Sequence, residues 1–370
     1  RDGGLWVVGD GVCQLRDHAC SQAGMPEAMQ NQPPVRLVFE DPAGRVWVGT
    51  QWALWRREGD QWHTLSATEG TQPGRAARAM VAAPNDHLWL ATNGDGLFEF
   101  VGGRRARQIT TAQGLSSNAL RALWRDPDNG ELWVGTENRG LCRLRADLQP
   151  VAVRCVGTAQ GLPSNGIHAI AADAFARFWM NSNQGVFHVD RAELQSLLDG
   201  HGERMTRIGV FNAANGLRSS EGNGAVFPSV ATDVAGRVWF PTQGGIAIFD
   251  PAAVRTTHAP AQARIDRVHV GSTVISAPTS IDVPAPIRAI TVAFTANSYV
   301  DPEHVQFRYR LAGGSAAWTD IGSQRELQLA ALPVGEWSLQ VQARNAGADW
   351  PESFAAVSLR VRPQWFERTD

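Results

Sequence analysis

The chain has 370 residues, 43% of them apolar, enough for two or more domains with sizeable cores. Charged residues make up only 19%, and 34 basic against 36 acidic side chains leave a net charge of -2, so nothing in the charge calls for a nucleic acid or an anionic membrane surface as partner. No apolar run reaches 18 residues and no signal-peptide pattern opens the chain, whose first residue is Arg1; a piece of a longer protein is expected.

From the N-terminus onward one template recurs: GGLWVVGDGVCQL (3–15), GRVWVGTQWALWRR (44–57), DHLWLATNGDGLFEF (86–100), GELWVGTENRGLCRL (130–144), ARFWMNSNQGVFHV (176–189) and GRVWFPTQGGIAIF (236–249). Each copy has a turn residue, an apolar residue, Trp, an apolar residue, a small pair such as Gly-Thr, a short insert, Gly and an alternating apolar run. The aligned tryptophans are Trp6, Trp47, Trp89, Trp133, Trp179 and Trp239, spaced by 41, 42, 44, 46 and 60 residues. That period fits one four-stranded unit per copy.

Between copies runs a second element, AQGLSSNALRALWRDPDNG (112–130), AQGLPSNGIHAIAADAFA (159–176) and ANGLRSSEGNGAVFPSVATDVAG (214–236), each ending in a short apolar strand and an Asp turn. Strands without helical periodicity, repeated in this way, predict an all-β protein and a β-propeller of six or seven blades rather than a solenoid. The long last spacing is assigned to AELQSLLDGHGERM (192–205), where Leu194, Leu197 and Leu198 sit at helical spacing and predict a short surface helix.

After DPAAVRTTHAPAQA (250–263) the template stops, and RAITVAFTA, VQFRYRLA, LQLAALPVG and WSLQVQARN alternate apolar and polar residues. This predicts an immunoglobulin-like β-sandwich over 264–362. The domains are placed at 1–257 and 258–370.

With this order of parts, the chain resembles the two-component-regulator propeller repeats followed by a triple-tyrosine (Y_Y_Y) sandwich, which form the sensor region of bacterial membrane receptors. The residues that carry the resemblance are NGLRSSEGNGAVFPSVATDVAGRVWFPTQGGIAIFDP (215–251), FTANSYVDPEHVQFRYRLAGGSAAWTDIG with LPVGEWSLQVQARNAGADW, and the closing RPQWF (362–366). Of the three tyrosines that name the sandwich, Tyr309 is present, while Leu327 and Trp337 stand at the later positions. The resemblance implies a periplasmic portion of an inner-membrane protein, a transmembrane helix after Asp370, a homodimer through the sandwich, and a cytoplasmic histidine kinase or diguanylate cyclase as output. It implies no enzymatic activity in this region.

The residues themselves show no convergent catalytic set. Nine histidines are scattered without zinc-ligand spacing, no Gly-rich phosphate loop precedes a helix, and neither a metal nor a cofactor is expected. Cys13 and Cys142 occupy equivalent template positions, each with one later cysteine where the next strand returns. That pattern suggests disulfides Cys13–Cys20 and Cys142–Cys155; four separate buried thiols are the alternative. Disulfides would point to an oxidising compartment.

A residue type present in every copy serves the blade, whereas a position that changes from copy to copy is free to serve a ligand. The six tryptophans are therefore read as core, and Asn118 and Asn165 as loop braces. The insert after the Gly-Thr pair diverges: Asp10, Gln51-Trp52, Asn93-Gly94-Asp95, Glu137-Asn138-Arg139, Asn183-Gln184 and Gln243-Gly244. In a propeller these loops share one face with the Gly-Leu-x-Ser-Asn loops, at the mouth of the central channel. The expected ligand residues are Trp52, Asn93, Asp95, Glu137, Asn138, Arg139, Asn183, Gln184, His168 and Glu221, for a small-molecule or oligosaccharide signal. Trp52 would suit stacking on a sugar ring, or else packs between blades. The competing functional classes are a propeller lyase of the streptogramin-inactivating kind, with His168 as its candidate, and a protein-interaction scaffold.

Overall fold

The structure is a computed structural model that describes residues 5–8, 12–22, 25–30, 34–65, 77–145, 151–205, 207–254, 261–284, 289–298, 305–312, 317–330, 332–345 and 349–363. It divides into two units, residues 1–254 and 255–370. The boundary expected at 257/258 lies outside the described residues.

The first unit is a β-propeller of six antiparallel sheets among the described residues. The second sheet is typical, with Val35–Glu40, Val46–Thr50, Leu54–Glu58 and Gln61–Leu65 paired in sequence order. The third opens on Ala77–Ala83, the fourth on Leu120–Arg125 and the fifth on Ala169–Ala172. These opening strands touch one another across the second to fifth sheets, so they are the innermost strands around the channel. The first sheet, Leu5–Val8, Val12–Arg16 and Ala19–Ser21, and the sixth, Ala231–Thr232, Val238–Thr242 and Gly245–Phe249, have three strands each among the described residues.

The Trp strand is buried because its side chains meet the sheets on either side: Trp47, Trp133 and Trp179 are fully buried and Trp89 nearly so. Trp6 and Trp239 depart from the expected core role and are half-buried. They lie in the two three-stranded end sheets, where less neighbouring structure covers them.

In the second, fifth and sixth sheets the Asp turn before the Trp strand holds it in place. In the second sheet Asp41 Oδ1 accepts the Ala43 and Arg45 amides at 3.0 Å, while Oδ2 accepts Arg45 Nε at 2.6 Å and Trp47 Nε1 at 2.9 Å. Asp173, Arg177 and Trp179 repeat the arrangement, as do Asp233, Arg237 and Trp239. One carboxylate thus satisfies a turn, a guanidinium and an indole that burial would otherwise leave costly. The fourth sheet breaks the pattern, since Glu131 stands where Arg is needed. There Asp126 pairs with Arg191 instead, and Trp133 Nε1 has no partner.

Arg191 begins the helix Arg191–Leu198, capped by Asp190, whose side chain accepts the Glu193 amide. Leu194 and Leu198 are buried under it. The helix lies where the sequence placed it, but it is only one cause of the long last repeat. The other is an excursion of the sixth sheet's innermost segment. Gly222 bridges Thr242 and Ala231 pairs with Trp239, and between them the chain crosses the channel to bond with the second sheet, Phe227 N to Arg36 O at 2.8 Å and Val38 N to Phe227 O at 3.2 Å.

Both cysteine pairs are joined, Cys13 to Cys20 and Cys142 to Cys155, with Cα–Cα distances of 5.6 and 4.0 Å. Cys142 and Cys155 face each other across the two outer strands of the fourth sheet.

The second unit is a sandwich of a four-stranded and a five-stranded sheet. Val268, Val292, Phe294, Phe307, Leu339, Val341, Val357 and Leu359 fill its core. Leu327 belongs to that core, and Tyr309 and Trp337 pack against it. On the five-stranded sheet Arg308 lies between Trp318 and Trp350, with Arg344 beside Trp350 at 4.3 Å and Arg310 beside Trp318 at 4.6 Å. Gln342, Gln340 and Gln306 each accept a hydrogen bond from one of these arginines.

Candidate functional site

The insert loops are held by a common frame. Thr92, Thr136, Ser182 and Thr242 end their strands, and each hydroxyl donates to a glycine carbonyl across the loop, at 2.7, 2.8, 3.0 and 3.1 Å. The glycine cannot be replaced freely: Gly140 has φ of 82°, and a Cβ there would run into the Val156 carbonyl. The preceding small residue serves the next sheet, since a Cβ on Gly135 would meet Ile167.

The joining loops are braced in a similar way. Asn118 Oδ1 accepts the Thr111 amide at 2.8 Å, Asn165 Oδ1 accepts the Thr158 amide at 2.9 Å, and Ser220 Oγ accepts the Ala213 amide at 2.7 Å. The two loop sets then bond to each other, Gly94 and Gly96 N to Asn118 O, Gly140 N to Asn165 O, and Gln243 N to Glu221 O. Insert and joining loops therefore form one face, with fixed backbone and varying tips.

On that face Trp52 is 67% exposed, so it does not pack between sheets. Asn138, Arg139, Asn183, Gln184 and Glu221 are also exposed. Asn93 and Asp95 are half-buried; Asn93 bridges Ala119, and the Asp95 carbonyl accepts Gln108 Nε2 at 2.7 Å. Glu137 is engaged in a two-pronged ion pair with Arg121. The hydrogen bonds from Arg121 hold its carboxyl below the usual range, so it stays ionised at neutral pH. Asp10 lies outside the described residues.

His168 is not on the surface. It is 5% exposed, its Nδ1 sits 3.3 Å from the Gly222 carbonyl, and burial, with Arg121 nearby, keeps it neutral at physiological pH. It supports the channel-crossing segment, whose Ser229 Oγ donates to the His168 carbonyl at 3.1 Å. Glycine is needed at 224 because a Cβ there would collide with His168.

Residues 222–229 thus lie across the channel mouth, bonded to the second, third and fifth sheets, and floor a cup there. Around the cup stand three residues that are absent from the ligand residues expected from the sequence: Arg36, Arg78 and Arg121. Each occupies an irregularity at the head of an innermost strand, where the register slips between Val35 and Leu37, Ala77 and Ala79, and Leu120 and Ala122. His168 holds the matching place in the fifth sheet. A bulge residue lacks a cross-strand partner, which leaves its side chain to be aimed elsewhere. The recurring small-or-apolar, Arg, apolar triplet is the sequence signal for them. Burial, together with Arg121 and Arg36 close by, lowers the Arg78 guanidinium to about 10.

A cleft of about 680 Å³ lies apart from this face, between the outer strand of the fourth sheet and the end of the helix. Its Arg143 is paired with Asp199. Among the described residues no group of three or more His, Cys, Asp or Glu side chains is placed to hold a metal ion.

Comparison with known proteins fits this architecture. Residues 298–362, within the second unit, match the Y_Y_Y domain. It is 21% identical over 216 residues to the histidine kinase P4 of Formosa agariphila, an alignment covering 55% of this chain and 15% of that protein. Among solved structures, the extracellular domain described for a hybrid two component system of B. thetaiotaomicron superposes with a TM-score of 0.52 at 18% identity, over 98% of this chain and 54% of that one. PorZ, a surface component of the type-IX secretion system of Porphyromonas gingivalis, does so with a TM-score of 0.51 at 13% identity, over 96% and 50%. The likeness to both is one of fold. The chain spans about half the length of these two structures and a small part of the kinase.

Proposed function

We propose that this chain is the extracytoplasmic, ligand-receiving region of a membrane signalling receptor. A small molecule or oligosaccharide binds the loop face of the propeller, and the sandwich, paired with that of a second copy, passes the change to an output domain, a histidine kinase or diguanylate cyclase. The observation that carries the reading is the loop face itself: a recurring frame, a Thr or Ser hydroxyl bonded across the loop, presents side chains that differ from sheet to sheet, with Trp52 open to solvent. Residues that vary on a rigid frame suit recognition, and a flat exposed indole suits a sugar ring. The Y_Y_Y domain and the kinase relative support the same reading. Two disulfides suit an oxidising compartment, as the periplasm is. No helix among the described residues is long and apolar enough to cross a membrane.

The test is a thermal-shift screen of the purified chain against plant and bacterial oligosaccharides, with and without divalent metal. A true ligand at a hundredfold excess over its Kd stabilises by about 2.7 kcal/mol. Trp52→Ala and Glu137→Ala are expected to abolish that shift while leaving the unliganded transition within a few degrees of wild type. Turnover of the ligand that depends on His168 would overturn the receptor reading.

A further inference from the structure

Arg36 and Arg78 are the least explained charged groups of the propeller. Their Nε atoms are buried and have no hydrogen-bond partner, and among the described residues no carboxylate lies within ion-pair distance of either. The Arg78 contact within the fold is a 3.4 Å hydrogen bond from Nη1 to the Ala225 carbonyl. Arg121 completes the row, and its partner Glu137 is the carboxylate paired there. Three guanidiniums converge on one cup with one compensating acid, an arrangement costly to the empty protein. Their backbone positions are equivalent in three successive sheets, so the convergence is built by the repeat. The floor beneath them is the Gly222-Asn223-Gly224-Ala225 stretch, whose glycines pack closely on Asn181 and His168 and whose Ala225 carbonyl accepts from Arg78.

We propose that this arginine cup binds an oxyanion group, a carboxylate, sulfate or phosphate borne by the ligand, with Arg36 and Arg78 as the binding residues and Arg121 orienting Glu137 at the rim. Guanidinium forks match such groups in pairs of parallel hydrogen bonds, and guanidiniums whose Nε the fold leaves unpaired are suited to receive one. The ligand class is then an anionic small molecule or acidic saccharide. This deepens the receptor reading by naming the chemistry of its ligand; anion binding itself stands or falls independently of signalling.

The experiment measures thermal shifts and calorimetric titrations of the whole chain with sodium sulfate, sodium phosphate and D-galacturonate, each at ionic strength matched with chloride, and with D-galactose as the neutral control. The three probes separate sulfate, phosphate and carboxylate sources. Saturable stabilisation by at least one anion and none by galactose is expected. Arg78→Gln should weaken it by about tenfold or more, the worth of a charge-assisted hydrogen bond, as should Arg36→Gln if the first variant fails to fold. Arg145→Gln, in the separate cleft beside the helix Arg191–Leu198, should leave it unchanged, and Arg78→Gln without ligand should melt no lower than wild type. Absence of saturable stabilisation by any anion overturns the proposal. So does stabilisation that survives both cup variants, which is general salting-out by excluded anions. A neutral oligosaccharide that stabilises through Trp52 while the anions do nothing overturns the anion site and leaves the receptor reading in place.

Discussion

Asp173→Ala should lower the unfolding free energy of the propeller by about 3–5 kcal/mol, the loss typical of removing one partner from a buried ion pair. The Asp173 carboxylate is 1% exposed and Arg177 10%. It accepts from the Phe175 and Arg177 amides at 2.8 and 3.0 Å, and from Arg177 Nε and Trp179 Nε1 at 2.7 Å each. Arg177 cannot escape to water when its partner goes, because its other nitrogens donate to Pro251 O at 2.6 Å and Val254 O at 3.3 Å, with its plane over Trp179. The variant strands a cation and an indole N–H in the core. Asp233→Ala removes the same set of bonds in the sixth sheet, where Asp233 is 22% and Arg237 47% exposed, so water replaces what is lost and the effect should be much smaller. Urea unfolding of both variants, read at constant m-value, checks the contrast; equal losses would contradict the account of the Asp turn.

His188 gives the second large effect, and it depends on pH. The ring is 6% exposed, lies 5.0 Å from the Trp179 ring, and has Nδ1 buried without a partner. Burial, with the Arg177 cation nearby, lowers its pKa from 6.5 to about 4. Between those values the unfolded chain binds the proton and the folded one does not, so stability is complete above the unfolded value and falls as pH drops toward the folded one. At 1.36 kcal/mol per unit the loss reaches up to about 3 kcal/mol by pH 4. His188→Gln, which cannot take the proton, should lose less stability than wild type over pH 6.5 to 4. Parallel slopes for the two proteins in that window would show that His188 does not carry the effect.

Much of the fold was legible because six sheets of one geometry ask the same residues for the same tasks. Tryptophan, the small pair and the closing glycine recur since the four central sheets each bury one indole, admit their neighbour and turn under a Thr or Ser hydroxyl. The Asp turns were visible as punctuation, yet their energetic role was not, because it depends on Arg and Trp four and six residues on converging on one oxygen. The helix at 191–198 could be read from its leucines. The channel floor could not: Gly222 to Ser229 reads locally as one more joining loop, and its partners Arg36, Arg78 and His168 come from strands far away in sequence. That same distance hid the arginine cup, although the arginines recur in plain register. His168 stood out by residue type alone; its burial against Gly222 and Gly224 makes it part of the floor.

The central claim is that ligand is received on the loop face of the propeller. Hydrogen–deuterium exchange of the chain with and without the ligand that the thermal-shift screen identifies tests it most directly. Slowed exchange is expected in segments 50–54, 92–96, 136–140, 182–185 and 220–225. Protection confined to the sandwich, or to the outer cleft beside the helix Arg191–Leu198, would contradict it.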